Sequence, residues 1–105
     1  MELSTYQELA MSCSVLRNDE ERIQYGVLNT ASEAGEIAGK YAKALRDQTD
    51  IDTIAVMNEM GDVLWSLAAL AEGLGVTLDN VAQMNVGKIQ SRKDRGVIAG
   101  SGDDR

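Results

Sequence analysis

Between Thr53 and Glu72 nearly every position is apolar, and Ile54, Val56, Met57, Met60, Val63, Leu64, Leu67 and Leu70 are spread around the whole circumference of a helix. A helix that is apolar on all sides must be enclosed by other helices, so this stretch predicts the middle of a bundle. Two acids, Glu59 and Asp62, nevertheless interrupt it, three residues apart and therefore on one side. Taking an ionised carboxylate out of water costs several kcal/mol, so such a pair is normally protonated, matched to cations or bound to metal. The stretch thus requires both helical neighbours and something to answer its charges.

The rest of the chain supplies the neighbours. Ser4 to Arg17 opens with two overlapping capping-box patterns, Ser4-x-x-Gln7 and Thr5-x-x-Glu8, and spaces Leu9, Cys13 and Leu16 at helical intervals. From about Arg22 to Arg46, Ile23, Val27, Thr30, Ala34, Ile37, Tyr41 and Leu45 recur every three or four residues, which predicts a long helix with one apolar stripe. Asp47 to Asp52 reads as a polar turn whose aspartates can cap the helix that follows. Gly73 and Gly75 end that helix, Thr77 restarts the chain, and a fourth helix runs to about Arg95 before Gly96. With no proline among 105 residues, the reading is all-α: a four-helix bundle forming one domain over residues 1–105, with a glycine-rich tail at 97–105. A chain this short gains stability from a partner chain.

The long second helix carries a matching acidic pair, Glu33 and Glu36, with Asn29 and Lys40 on the same polar stripe beside the apolar face. If the turn is centred near residue 49, the middle of this pair reflects onto about residue 63, within about one helical turn of the middle of Glu59 and Asp62. Four carboxylates then meet between two helices. Hard divalent cations that prefer oxygen relieve such repulsion without histidine or thiolate, and Mg²⁺ or Mn²⁺ is the natural occupant. Gly35, Gly39 and Gly61 each cost about 1 kcal/mol of helix stability relative to alanine, which predicts a close backbone or ligand there. The plain alternative is that each Glu-x-x-Glu or Glu-x-x-Asp is a solvated face. The mirrored placement of two pairs favours metal.

Composition removes other chemistries. The absence of histidine excludes Ser-His-Asp hydrolysis, HExxH metalloprotease sites and the Glu-x-x-His ligands of di-iron bundles. A single cysteine excludes an intrachain disulfide or a cysteine-rich zinc site and fits a reducing compartment; Cys13 reads as a small buried residue. The net charge of −7 argues against nucleic-acid polymers and anionic membranes. The opening Met1-Glu2-Leu3-Ser4 lacks a signal-peptide pattern, and no stretch approaches the ~20 apolar residues of a membrane span, so a cytoplasmic protein is expected.

The charge is also uneven. Residues 1–87 carry 5 Lys/Arg against 14 Asp/Glu, whereas residues 88–105 carry 5 against 3. In the fourth helix Asn85, Lys88, Arg92 and Arg95 fall at i, i+3, i+7 and i+10 on one side. Beside a carboxylate-held metal, such a stripe suits a polyphosphate; alternatively, Arg92 and Arg95 only complement the helix dipole. The tail Gly100-Ser101-Gly102-Asp103 either folds over phosphates through backbone N–H groups or stays irregular. Trp65, one turn beyond Asp62, either stacks on a base or sits in the core, while Met57, Met60 and Met84 read as packing.

At these residues the sequence resembles the MazG-type family of all-α nucleoside triphosphate pyrophosphohydrolases, whose signature is Glu-Glu-x-x-Glu followed at a distance by Glu-x-x-Asp. The matching residues are Glu33-Ala-Gly-Glu36, Glu59-Met-Gly-Asp62 and Asn85-x-x-Lys88-x-x-x-Arg92, and the ending from Arg95 to Asp103 resembles short stand-alone bacterial and phage members. Ser32 departs from the fuller motif, which often has another glutamate there and with it an auxiliary metal position. The resemblance implies Mg²⁺-dependent cleavage of an NTP or dNTP between the α and β phosphates, in a homodimer or homotetramer of helical bundles. It implies metal on Glu33, Glu36, Glu59 and Asp62, with Glu36 as the general base, and phosphates on Lys88, Arg92 and Arg95. Asn29, Trp65 and Asn85 are the expected nucleotide contacts. A non-catalytic, metal-dependent nucleotide-binding or oligomerisation module is the alternative, and base choice, dGTP-like or dCTP/dUTP-like, is open.

Overall fold

The computed structural model describes all of residues 1–105 as four α-helices and no strands. They are α1 (Leu3–Ser12), α2 (Asp19–Asp47), α3 (Thr53–Gly73) and α4 (Leu78–Asp94). The two long helices form an antiparallel hairpin. Asn18 caps α2 by accepting from the Glu21 N–H at 2.9 Å, and Asp19, Glu20 and Glu21 place negative charge on the positive end of its dipole. Gln48, in the left-handed region at φ 53°, ends α2, and Asp52 starts α3 by accepting from the Ala55 N–H at 3.2 Å. Thr77 does the same for α4 at Asn80, 3.1 Å away.

α3 is the central element, touching α1, α2 and α4, as its all-round apolarity requires. Its 21 residues, with a mean hydropathy of 1.3 over the most apolar window, do meet the length and composition of a membrane span, against the sequence expectation. The same pattern serves a bundle's middle helix, and here it packs on three others.

α1 is shorter than its pattern predicts and turned differently. Ser4 and Thr5 lie inside the helix rather than at its cap, and the Ser4 N–H donates instead to Asp79 of α4 at 3.3 Å. The buried face is Gln7 and Ala10, whereas Leu9 and Cys13 are exposed. Gln7 accounts for the rotation. Its amide donates to Glu72 Oε2 at 2.9 Å and to the Val76 carbonyl at 3.0 Å, and its oxygen accepts from the Leu78 N–H at 2.8 Å. One buried glutamine thereby satisfies the turn between α3 and α4, whose polar backbone groups would otherwise be costly to bury.

The core is small. Only nine of 105 residues are buried, with Ala10, Ala68, Ala71 and Leu78 at its centre and Leu3, Tyr6, Met11, Leu64 and Trp65 packed around them. α4 joins through Leu78 at its start and then diverges; no Cα of α4 comes within 8 Å of α2. The radius of gyration, 16.4 Å, exceeds the ~13 Å of a closed globule of this length. Much apolar surface remains open. Val27, Tyr41 and Leu45 of the expected stripe are exposed, and the expected packing methionines Met57, Met60 and Met84 are 60%, 57% and 77% exposed.

Candidate metal and nucleotide site

The face that α2 turns to α3 joins Ile23 of its apolar stripe to the polar positions beside it, Asn29, Glu33 and Lys40. Gly26 is buried on this face, and its absent side chain lets the helices close: a Cβ there would lie 2.8 Å from the Leu70 backbone N and 2.9 Å from the Ser66 carbonyl. Next along α2 the Asn29 amide donates to Ser66 Oγ at 2.8 Å, and that fully buried hydroxyl donates to the Asp62 carbonyl at 2.9 Å. The chain of bonds fixes the turn of α3 that carries Asp62. Asn29, expected at the nucleotide, thus has its amide engaged across the helices. Ser66 was missed by the sequence reading, although a serine four residues beyond Asp62 in an apolar helix is a signal of this kind.

One turn further, Glu33 of α2 meets Glu59 and Asp62 of α3, with a carboxylate oxygen from each lying within 4.8 Å of the others. Burial, then the charges of Asp62 and Glu59, a hydrogen bond with Glu59 and the charge of Glu36, all push the Glu33 pKa above its ordinary value. Glu36 is exposed and outside this close group, yet near enough to contribute to that push. One cation answers the cluster: Lys40 Nζ lies 3.4 Å from Glu59 Oε1. Three carboxylates against one ammonium leave a double negative deficit, and the all-oxygen donor set fits a hard divalent ion.

α1 adds a residue that no periodic pattern marks. Tyr6 packs against the buried alanines, and its phenol pKa is raised by partial burial and then by the Asp62 carboxylate. Trp65 is half-buried, edge-on to Tyr25 with ring centroids 6.0 Å apart and interplanar angle 88°. No part of the chain itself makes the close approach expected at Gly35, Gly39 and Gly61: none of its atoms lies within 4 Å of a Cβ built at any of them. Such approaches occur instead at Gly26 and at Gly73, where a Cβ would meet Ile23 Cγ1 at 2.7 Å and the Asp19 carbonyl at 2.8 Å.

The basic stripe lies apart. Asn85 and Lys88 are exposed and, with Val81 and Met84, line a shallow hollow of about 310 Å³ on α4. Arg92 is buried beneath the residues that follow α4, and Arg95 bonds Ser91 Oγ at 3.1 Å and the Arg105 carbonyl at 2.7 Å. Since α4 stays away from α2, these cations and the Glu33–Glu36 pair are not neighbours within one chain.

Acids paired across a helical hairpin, with a separate cationic helix, are matched by a family description. Residues 23–97 fit the MazG nucleotide pyrophosphohydrolase domain, from the first turns of α2 to just beyond α4. The chain belongs to the MazG family. This MazG chain is also similar to the Gene 37 protein of Mycobacterium phage L5, 48% identical over 89 residues that cover 81% of this chain and 78% of that protein. No solved structure matches it. All seven residues named for metal and phosphate, Glu33, Glu36, Glu59, Asp62, Lys88, Arg92 and Arg95, fall inside the matched MazG region, whereas α1 with Tyr6 and Gln7 lies outside it.

Proposed function

We propose that the protein is a metal-dependent nucleoside triphosphate pyrophosphohydrolase that cleaves an NTP or dNTP between the α and β phosphates, for nucleotide-pool control or house-cleaning. The observation that carries this reading is the convergence of Glu33, Glu59 and Asp62 oxygens within 4.8 Å between two helices. These residues, with Glu36 as a fourth acid, would hold Mg²⁺, or Mn²⁺ in its place. When bound, the ion neutralises charge on the phosphoryl oxygens and acidifies water. Glu36, outside the close trio and open to solvent, accepts the proton of the attacking water on a carboxylate oxygen. Lys88, Arg92 and Arg95 bind the phosphates, and Asn29, Trp65 and Asn85 line the nucleotide. The free, exposed thiol of Cys13 suits a cytoplasmic setting.

The active unit in this reading is a homodimer or homotetramer in which α4 of a second copy faces the acids. Three observations support it: α4 keeps clear of α2, no cavity of the single chain is lined by Glu33, Glu59 or Asp62, and Val27, Leu28, Ile54, Met57 and Met60 are more than half exposed. Such faces are what subunit contacts bury.

Incubation with a panel of NTPs and dNTPs plus Mg²⁺ tests the activity. Monophosphate and pyrophosphate are the expected products, and Glu59→Ala lowers turnover by about 100-fold or more, the upper range for lost support around a metal. Triphosphate recovered intact with every substrate would refute hydrolysis and leave a binding module. Sharing between copies has its own check: co-refolding inactive Glu59→Ala with inactive Lys88→Ala regains activity only if the two residues act from different chains.

A further inference from the structure

Residues 96–105 turn back onto the helix they follow. Gly96, at φ 69°, ends α4, and Arg105 then closes a loop on itself: Nε donates to the Val97 carbonyl at 3.0 Å, Nη1 to Gly102 at 2.6 Å and Nη2 to Ile98 at 3.0 Å. Arg95 Nη2 holds the Arg105 carbonyl at 2.7 Å. The closed loop brings the Asp103 carboxylate to 3.4 Å from Lys88 Nζ and 3.3 Å from Arg92 Nη2, and Arg92 Nη2 also donates to the Asp103 carbonyl at 2.9 Å.

Two details separate this arrangement from an ordinary surface ion pair. Arg92 is only 7% exposed, and its Nε is buried with no hydrogen-bond partner, so one donor of the guanidinium is left without an acceptor. Asp103, by contrast, is 86% exposed on the outer side of both cations. A single carboxylate therefore lies across two cations that offer more donors than it satisfies. A phosphoryl group carries more charge and three oxygens, and it matches a guanidinium and an ammonium better. The carboxylate partner stands open to solvent, where a ligand of higher charge reaches the same donors and competes for them.

We propose that residues 97–105 are an autoinhibitory latch: Asp103 occupies the place of a substrate phosphoryl group on Lys88 and Arg92, and a polyphosphate must expel it to bind. The latch rests on the assignment of Lys88 and Arg92 to phosphate made under Proposed function. It is held shut by Arg105 and contested by the ligand's charge, so binding is coupled to opening of the loop.

Calorimetric titration with inorganic tripolyphosphate in metal-free buffer tests the latch without catalysis. Asp103→Asn is expected to tighten binding about three- to fivefold, the scale of an exposed ion pair. Arg105→Ala, which releases the clasp and leaves both cations in place, shifts affinity in the same direction. Unchanged or weaker binding by Asp103→Asn, while Lys88→Ala weakens binding in the parent chain, would overturn the latch alone and make Asp103 a support for Arg92. Tripolyphosphate affinity indifferent to Lys88→Ala in both backgrounds would overturn the phosphate assignment, and the latch with it.

Discussion

The two halves of the α2–α3 hairpin are built on opposite principles. Where Gly26 and Gly73 sit, the helices approach so closely that backbone meets backbone, the core alanines Ala68, Ala69 and Ala71 are buried, and α1 and α4 dock alongside. Toward the turn, Glu33, Glu59 and Asp62 hold mutually repelling charge between the helices, while Gly35, Gly39 and Gly61 face no neighbour. One half is finished by the chain itself. The other carries charge and surface that the chain itself leaves unanswered, which in the proposed reading a divalent ion and a second copy answer, and the Asn29–Ser66–Asp62 bonds link it to the packed half.

Breaking the packed half has the largest expected effect. Gly26→Ala places a Cβ against the Leu70 and Ser66 backbones, which cannot yield as a flexible side chain would, and about 1–3 kcal/mol of stability is lost in denaturant unfolding. Filling the acidic half works the other way: at a Mg²⁺ or Mn²⁺ concentration 100 times its Kd, linkage adds about 2.7 kcal/mol, read as a rise in Tm that Glu59→Gln abolishes. A Tm unmoved by saturating metal removes the cluster from consideration as a cation site. Gly35→Ala, with nothing within 4 Å, gains up to about 1 kcal/mol from helix propensity. A loss there instead would locate a second chain or ligand against that face.

The smallest effect belongs to the loop after α4. Arg92 and then Lys88 hold the Asp103 pKa below its ordinary 3.8. A depressed folded-state pKa means that this contribution to stability is fully present above the ordinary value and is lost as pH falls through the lowered one. Asp103→Asn lacks that component, so in acid unfolding it should be slightly less stable than the parent chain at neutral pH and converge with it as the pH falls below about 4, near the ordinary aspartate range.

Much of this was legible in the residues. The all-round apolarity of Thr53–Glu72 gave the central helix, and the mirrored acids gave three carboxylates that do meet, because helical spacing and an antiparallel turn are local facts. What escaped the sequence depended on tertiary choices. The capping boxes at Ser4 and Thr5 were overridden once Asp79 supplied the acceptor, and Gln7 took a core position from Leu9 because the α3–α4 turn needed three hydrogen bonds. Gly35, Gly39 and Gly61 predict a close backbone or ligand near the acids, whereas a glycine's purpose depends on what crosses it, and within the chain only Gly26 and Gly73 are closely crossed along the hairpin.

The bonds made by Gln7 have a mechanical consequence. They tie the heading of α4 to α1, a helix outside the region shared with the family, through a pivot at residues 72–78. Changes around Gln7 therefore alter the direction in which the cationic arm projects, so its reach is adjustable from the opposite end of the sequence.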